Sequence, residues 1–126
     1  MVEALIRQTA RKVLKLLLPG EKPAVVFYLV SDSFIRNLNR RFRHKNKPTC
    51  VLAFPSRAPL FYPENFSRGE RQLGEIFLAP DYIKKHKYDV RFLVIHSLLH
   101  LLGYDHKKKN DRIKMERKER FLMSNF

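Results

Sequence analysis

The sequence predicts an α/β (α+β) fold: a small mixed β-sheet of three or four strands, helices packed on it, and one central buried helix. Three observations predict it. Short β-branched and aromatic runs alternate with amphipathic helical stretches. One segment, Asp89 to Leu102, is apolar nearly all round, as the buried centre of a domain is. The chain has 126 residues, 44% of them hydrophobic, which suits one packed core and leaves too little for a second. Residues 1–126 are therefore read as a single domain.

The elements follow in order. In the opening segment, MVEALIRQTARKVLKLLLPG, the residues Ile6, Ala10, Val13, Leu14 and Leu17 recur at helical spacing, and Pro19-Gly20 stops the helix. The same segment is amphipathic and Arg-bearing, as a mitochondrial presequence is, but core packing is the preferred reading. Its longest apolar run is Leu16 to Leu18 and its charges are scattered, which is not the layout of a signal peptide. Ala24 to Val30 reads as a buried strand. Ser31 or Asp32 can cap a helix over about Ser33 to Phe42, with Phe34, Ile35, Leu38 and Phe42 on one side. Thr49 to Phe54 reads as a second strand closed by Pro55. Residues 56–72 read as a long loop, a feature that inside compact domains is often functional. Leu73 to Ala79 is a third strand, and Pro80-Asp81 can open a short helix through about Lys87. After the apolar segment Gly103 ends the helix, as a left-handed residue commonly does. Residues 107–123 form a charged closing helix with Ile113, Met115, Phe121, Leu122 and Met123 available for packing.

Charge narrows the partners. Twenty-six Lys plus Arg face twelve Asp plus Glu, a formal charge of +14. Such an excess concentrates polyanions near the surface, and nucleic acid is preferred over an anionic membrane. No apolar run approaches the ~20 residues of a membrane span. The single cysteine, Cys50, excludes an internal disulfide and argues for a reducing compartment. The cytoplasm is expected, or a mitochondrion if the source is eukaryotic, and the expected state is a monomer.

The chemistry lies in H96-S-L-L-H100-L-L-G103-Y-D-H106. Residues four apart on a helix are separated by about 40° in projection, so His96 and His100 share a face. Gly103 lets the chain turn, and His106 can return over the helix end as a third ligand. Three protein ligands leave a position open for water, as in catalytic rather than structural zinc sites. One ion per chain is expected, zinc or another divalent transition metal. A lone histidine on a buried helix would read as a core residue; three at this spacing read as a metal site. His44 and His86 lie among lysines and arginines and read as surface residues. The spacing H-x3-H-x2-G-x2-H also matches metzincin proteases, which need Glu directly after the first His as general base. Ser97 stands there, and a serine hydroxyl cannot serve as that base at neutral pH.

HSLLHLLGYDH, residues 96–106, resembles the metal motif of the YbeY family, bacterial endoribonucleases of ribosomal RNA maturation. Ser97 stands where that family usually has glycine. LNRRFRHKNKPTCVLAFP, residues 38–55, is similar to the family's Arg-containing helix end, Pro-Thr turn and following strand. LGEIFLAP, residues 73–80, resembles its next strand, and Met115 and Glu119 sit as in its final helix. The resemblance spans about residues 24–122. It implies a mixed sheet with helices, one metal ion, and single-stranded RNA cleavage in ribosome biogenesis, with ribosomal RNA and small-subunit components as partners. By motif position His96, His100 and His106 are the ligands, and Arg43 is the catalytic or substrate-contacting arginine. The chain departs from the family pattern at Cys50, where Asp or Asn is usual, and at Ala53, where serine is common. It also begins near a helix that the family places after an N-terminal strand, which points to three strands instead of four.

The residues themselves are consistent with this. Arg43 can bind a phosphate through two parallel hydrogen bonds, although by itself it reads as one surface arginine among several. Arg40, Arg41, Arg43, Lys45 and Lys47 form one basic run; Lys107, Lys108, Lys109, Arg112 and Lys114 form another, directly after the metal motif. Both would hold RNA through its phosphates, which gives affinity and little sequence choice. Asp105 can orient an imidazole from behind or cap its own turn, with equal weight. Cys50 can be a fourth ligand, but a small buried hydrophobe is the preferred reading. Glu75 is a weak candidate for general base, and a solvent-facing strand residue is preferred. Two other functions stay open: a different metallohydrolase, and a non-catalytic ribosome-assembly factor with a structural metal.

Overall fold

The structure is a computed structural model that describes residues 2–56 and 71–126. The chain runs α1 (Val2–Leu17), β1 (Pro23–Leu29), α2 (Asp32–Arg43), β2 (Val51–Pro55), β3 (Arg71–Leu78), α3 (Pro80–Lys85), α4 (Val90–Leu101) and α5 (Lys109–Met123). The sheet has three strands in the order β1-β3-β2. It is mixed: β1 runs parallel to β3, and β2 antiparallel to it.

Strand alternation sends β3 side chains to two helical layers. Phe77 joins Leu52 and Phe54 of β2 and Ile35 and Leu38 of α2 in one cluster. Ile76 and Leu78 join the buried residues of α1, α4 and α5 in the larger one. Leu98 and Leu99 of α4 are wholly buried there, each contributing roughly 2 kcal/mol over exposure. The helix therefore sits fixed between the sheet, α1 and α5. Gly74 explains how β2 approaches β3 so closely. Its φ is +150, and a Cβ there would fall 2.2 Å from the Phe54 carbonyl oxygen.

Three expectations need correction. β1 is a half-buried edge strand, not a buried one, because β3 pairs with it on one side only. Glu75 is wholly buried, not solvent-facing, since central β3 is covered on both faces. In α5, Ile113 and Phe121 are exposed, and the packed stripe is Met115, Glu119 and Leu122 instead. Ser31 rather than Asp32 caps α2, its Oγ accepting from the Phe34 N–H at 3.2 Å. The long loop expected over 56–72 falls mostly outside the described residues, and Arg71 and Gln72 already belong to β3. Among the described residues no helix is long and apolar enough to cross a membrane.

Candidate metal centre

The site begins as a helix end. The Asp89 carboxylate accepts from the Arg91 N–H at 2.9 Å and starts α4. Two turns on, His96 and His100 emerge on one face, half-buried. Gly103 then takes φ +97, a region that a side chain disfavours. Its N–H bonds back to the His100 carbonyl and that of Tyr104 to Leu99, both at 3.0 Å. The chain thus reverses and carries His106 back over the helix end. The ring centroids of His100 and His106 are 5.3 Å apart, and those of His96 and His106 6.0 Å. One potential ligand atom from each histidine lies within 4.8 Å of the others.

Hydrogen bonds fix which nitrogens face the centre. His96 Nδ1–H donates to Glu119 Oε2 at 2.6 Å, and His100 Nδ1–H donates to the Tyr104 carbonyl at 3.1 Å. In a neutral imidazole that leaves Nε2 of each ring as the acceptor. The two Nε2 atoms face each other at 3.1 Å. Two lone pairs that close repel unless a cation lies between them. Two nitrogens held at ~2.1 Å by one tetrahedral ion would sit roughly 3.4 Å apart. The donor set fits a divalent transition metal. The pKa of His100 is held below its ordinary value, chiefly by burial and then by His96 and His106. The ring is accordingly neutral at neutral pH, as a ligand must be.

A cleft of about 560 Å³ opens in front of the triad, between the α4 turn and β2. All three histidines line it, and so do Arg43 at the end of α2 and Lys107 just past the motif. Arg43 bonds weakly to the Ala53 carbonyl at 3.4 Å, which leaves most of its guanidinium donors for other partners. Two cations thus face the three histidines across one cavity.

The family model described as Endoribonuclease YbeY matches residues 1–126. The chain belongs to that family. It is 39% identical over 111 residues to "Endoribonuclease YbeY" of Wolbachia sp. subsp. Drosophila simulans (strain wRi), covering 82% of this chain and 69% of the relative. It is 33% identical over 129 residues to the protein of that name from Desulfitobacterium hafniense (strain Y51), covering 95% and 82%. A solution structure from Thermotoga maritima, of TM1509, is 22% identical with a TM-score of 0.48, covering 98% of this chain and 83% of that one.

The YbeY-like motif does not gather every residue expected at the site. Arg40, Arg41, Lys45, Lys47, Lys108 and Lys109 are exposed and do not line the cleft. His44 and His86 are exposed, as expected. Asp105 Oδ1 accepts from the Lys107 N–H at 2.7 Å, so it braces the turn on either side of His106. That bond also holds its carboxyl below the usual range. Cys50 lies outside the triad and packs against the main core, where burial pushes its thiol pKa up. Glu75 does not line the cleft either.

Two residues at the site escape a reading from sequence alone. Glu119 bonds His96 from behind, a role considered for Asp105 in the sequence. Its signal is present: Met115, Glu119 and Leu122 stand at i, i+4 and i+7, and a carboxylate in a packed stripe needs a partner. Phe92 reads as part of the buried helix, yet it is 38% exposed and its ring stacks on His96 at 5.7 Å. It stands one helical turn before His96, so it shares that face.

Proposed function

We propose that His96, His100 and His106 hold one divalent metal ion, zinc foremost, and that Arg43 and Lys107 present the phosphodiester of single-stranded RNA to it. Membership of an endoribonuclease family makes the chain an RNA-cleaving hydrolase that depends on metal, and the family acts in ribosomal RNA maturation. The observation that carries the site assignment is the pair of His Nε2 atoms 3.1 Å apart, with both rings fixed from behind.

When bound, such an ion supplies a Lewis acid for a phosphate oxygen and activates water near neutral pH. The protein's own groups do the rest. Arg43 holds two phosphate oxygens and stabilises the charge that builds on them. Lys107 adds a point charge at the same mouth. Asp105 keeps the turn closed so that His106 reaches the centre. The only carboxylate among the described lining residues, Asp105, is engaged in that turn. No protein carboxylate is therefore assigned as general base, and the RNA 2′-hydroxyl stands beside water as the attacking group. Ser97 lines the cleft wall but is buried, and its hydroxyl is spent on the Leu93 carbonyl at 2.6 Å. That geometry disfavours a protease. Because phosphate contacts carry little sequence information, small-subunit components of the ribosome are the proposed source of target choice, with the protein acting as a monomer.

The test is incubation of metal-loaded protein with ribosomal RNA and with casein, each with and without chelator. RNA cleavage that vanishes with chelator is expected. Casein cleavage would make the protein a protease, and silence on both a structural-metal assembly factor. Arg43→Ala should keep metal and fold while losing about 100-fold or more in single-turnover cleavage, and Arg43→Lys should regain only part of that. Wild-type rates in Arg43→Ala would make this arginine a bystander. Replacing Lys107, Lys108 and Lys109 with Gln should lower the salt slope of RNA binding by up to about 0.7 for each phosphate no longer neutralised. An unchanged slope would place the RNA elsewhere.

A further inference from the structure

A second cleft, about 610 Å³, adjoins the triad on the α5 side, and His96 and His106 line both clefts. The chemistry differs between them. The first presents Arg43 and Lys107 to a phosphate. The second is apolar within, from Phe92, Met115 and Met123, and polar at its rim, from Arg112, Glu116 and Arg120. Sequence spacing builds it. Phe92 stands one turn before His96 on α4, and residues 112, 115, 116, 119, 120 and 123 form one stripe of α5.

A second phosphate does not suit this cleft. Its two arginines, Arg112 and Arg120, are matched by two carboxylates, Glu116 on the rim and Glu119 beside His96, which leaves no excess positive charge for another anion. A flat ring with apolar faces and polar edges does suit it. Phe92 is 38% exposed, an aromatic surface left open beside a polar centre. Thioethers are adaptable partners for an aromatic face. At the rim Glu116 can accept from a ring N–H or amino group, and Arg112 and Arg120 can donate to a ring carbonyl. A purine or pyrimidine offers those faces and edges.

We propose that this cleft is a nucleobase subsite. The base of a nucleotide flanking the cleaved phosphate stacks on Phe92 and packs against Met123, above the buried Met115. The inference rests on the RNA-cleaving reading above and deepens it. It also supplies a physical reason for a single-stranded substrate: a paired base is already stacked and cannot swing into the cleft.

The chain has no tryptophan, so Phe92→Trp places a lone fluorophore in the subsite. Titration of that variant with a single-stranded octaribonucleotide should quench its emission saturably. A base-free ribose-phosphate chain of equal length should bind, as read by anisotropy, with little quenching. Bound RNA that leaves the emission unchanged overturns the subsite, and so does equal quenching by the base-free chain. Cleavage supplies the second measurement. In wild-type protein, one abasic position next to the cleaved bond should lower kcat/KM by about tenfold, the scale of one base–aromatic stack. Phe92→Ala should show that loss on intact RNA and no further loss on the abasic one. Active wild-type protein with no position-dependent penalty sinks the subsite alone. Wild-type protein that leaves intact RNA uncleaved sinks the parent reading, whatever the fluorescence shows.

Discussion

His96 and His100 are held differently from His106. The first two stand on α4, whose flanks are wholly buried, and each has its Nδ1 tied: one to Glu119, the other to the Tyr104 carbonyl. His106 is exposed on the turn after Gly103, and among the described residues its ring contacts are with the other two histidines. What steadies it is the backbone around it, through Asp105. The difference teaches that the centre is half built into the core and half completed by a turn. The helix fixes the direction of two rings at no further cost in side-chain freedom. The turn keeps the third histidine accessible, where it lines the cleft.

The largest expected effect breaks the helix-borne half. Zinc sites with four ligands bind with ~10–16 kcal/mol, so one ligand is worth about 3 kcal/mol, on the order of a hundredfold in affinity. His100→Ala should lose at least that much, because His96 Nε2 then has no fixed neighbour. His106→Ala should lose less, since water can take the place of an exposed ligand. Competition with a metal-binding dye gives both affinities. Equal losses would show that the turn is as rigid as the helix and that the two halves do not differ.

A smaller effect sharpens the comparison. Glu119→Gln keeps an acceptor behind His96 but removes its charge, so metal affinity should fall about tenfold, the low end of what such outer partners contribute. Fold should be kept, since Gln matches Glu in volume. Metal affinity unchanged in Glu119→Gln would reduce the 2.6 Å contact to core packing.

The legible part of this site is local, and the missing part is tertiary. The triad can be read because all three histidines fall within eleven residues, 96 to 106, and Gly103 marks the reversal between them. The mixed sheet and the buried α4 can be read from run composition alone. Glu119 and the exposed face of Phe92 cannot be placed that way, because both depend on how α5 crosses α4 twenty-three residues on from His96. Glu75 shows the same limit. Its carboxylate makes the strand look solvent-facing, while its burial follows from β3 being the central strand, a fact of pairing order. Cys50 and Asp105 each carry two readings, since a thiol or a carboxylate near a ligand has the same sequence whether or not it points at the metal.

The smallest effect concerns protons, and it isolates the helix-borne half without any metal. His100 in the folded, metal-free chain has a pKa below the 6.5 of a free histidine, through burial and its two histidine neighbours. The sign follows from which state binds the proton more tightly. Above 6.5 the ring is neutral in both states, and the stability associated with the neutral buried ring is fully present. As pH falls below 6.5 the unfolded chain takes up the proton first, so stability is lost until the folded pKa is passed. Urea midpoints of chelated protein between about pH 7.5 and 5 should therefore decline, and in His100→Asn that decline should be shallower. His106 is the smallest of the three causes that lower the His100 pKa, so His106→Asn should flatten the decline less than His100→Asn does. A slope that flattens more in His106→Asn than in His100→Asn would place the proton-sensitive burial at the turn, and the division between a half-buried pair and an exposed third histidine would be wrong.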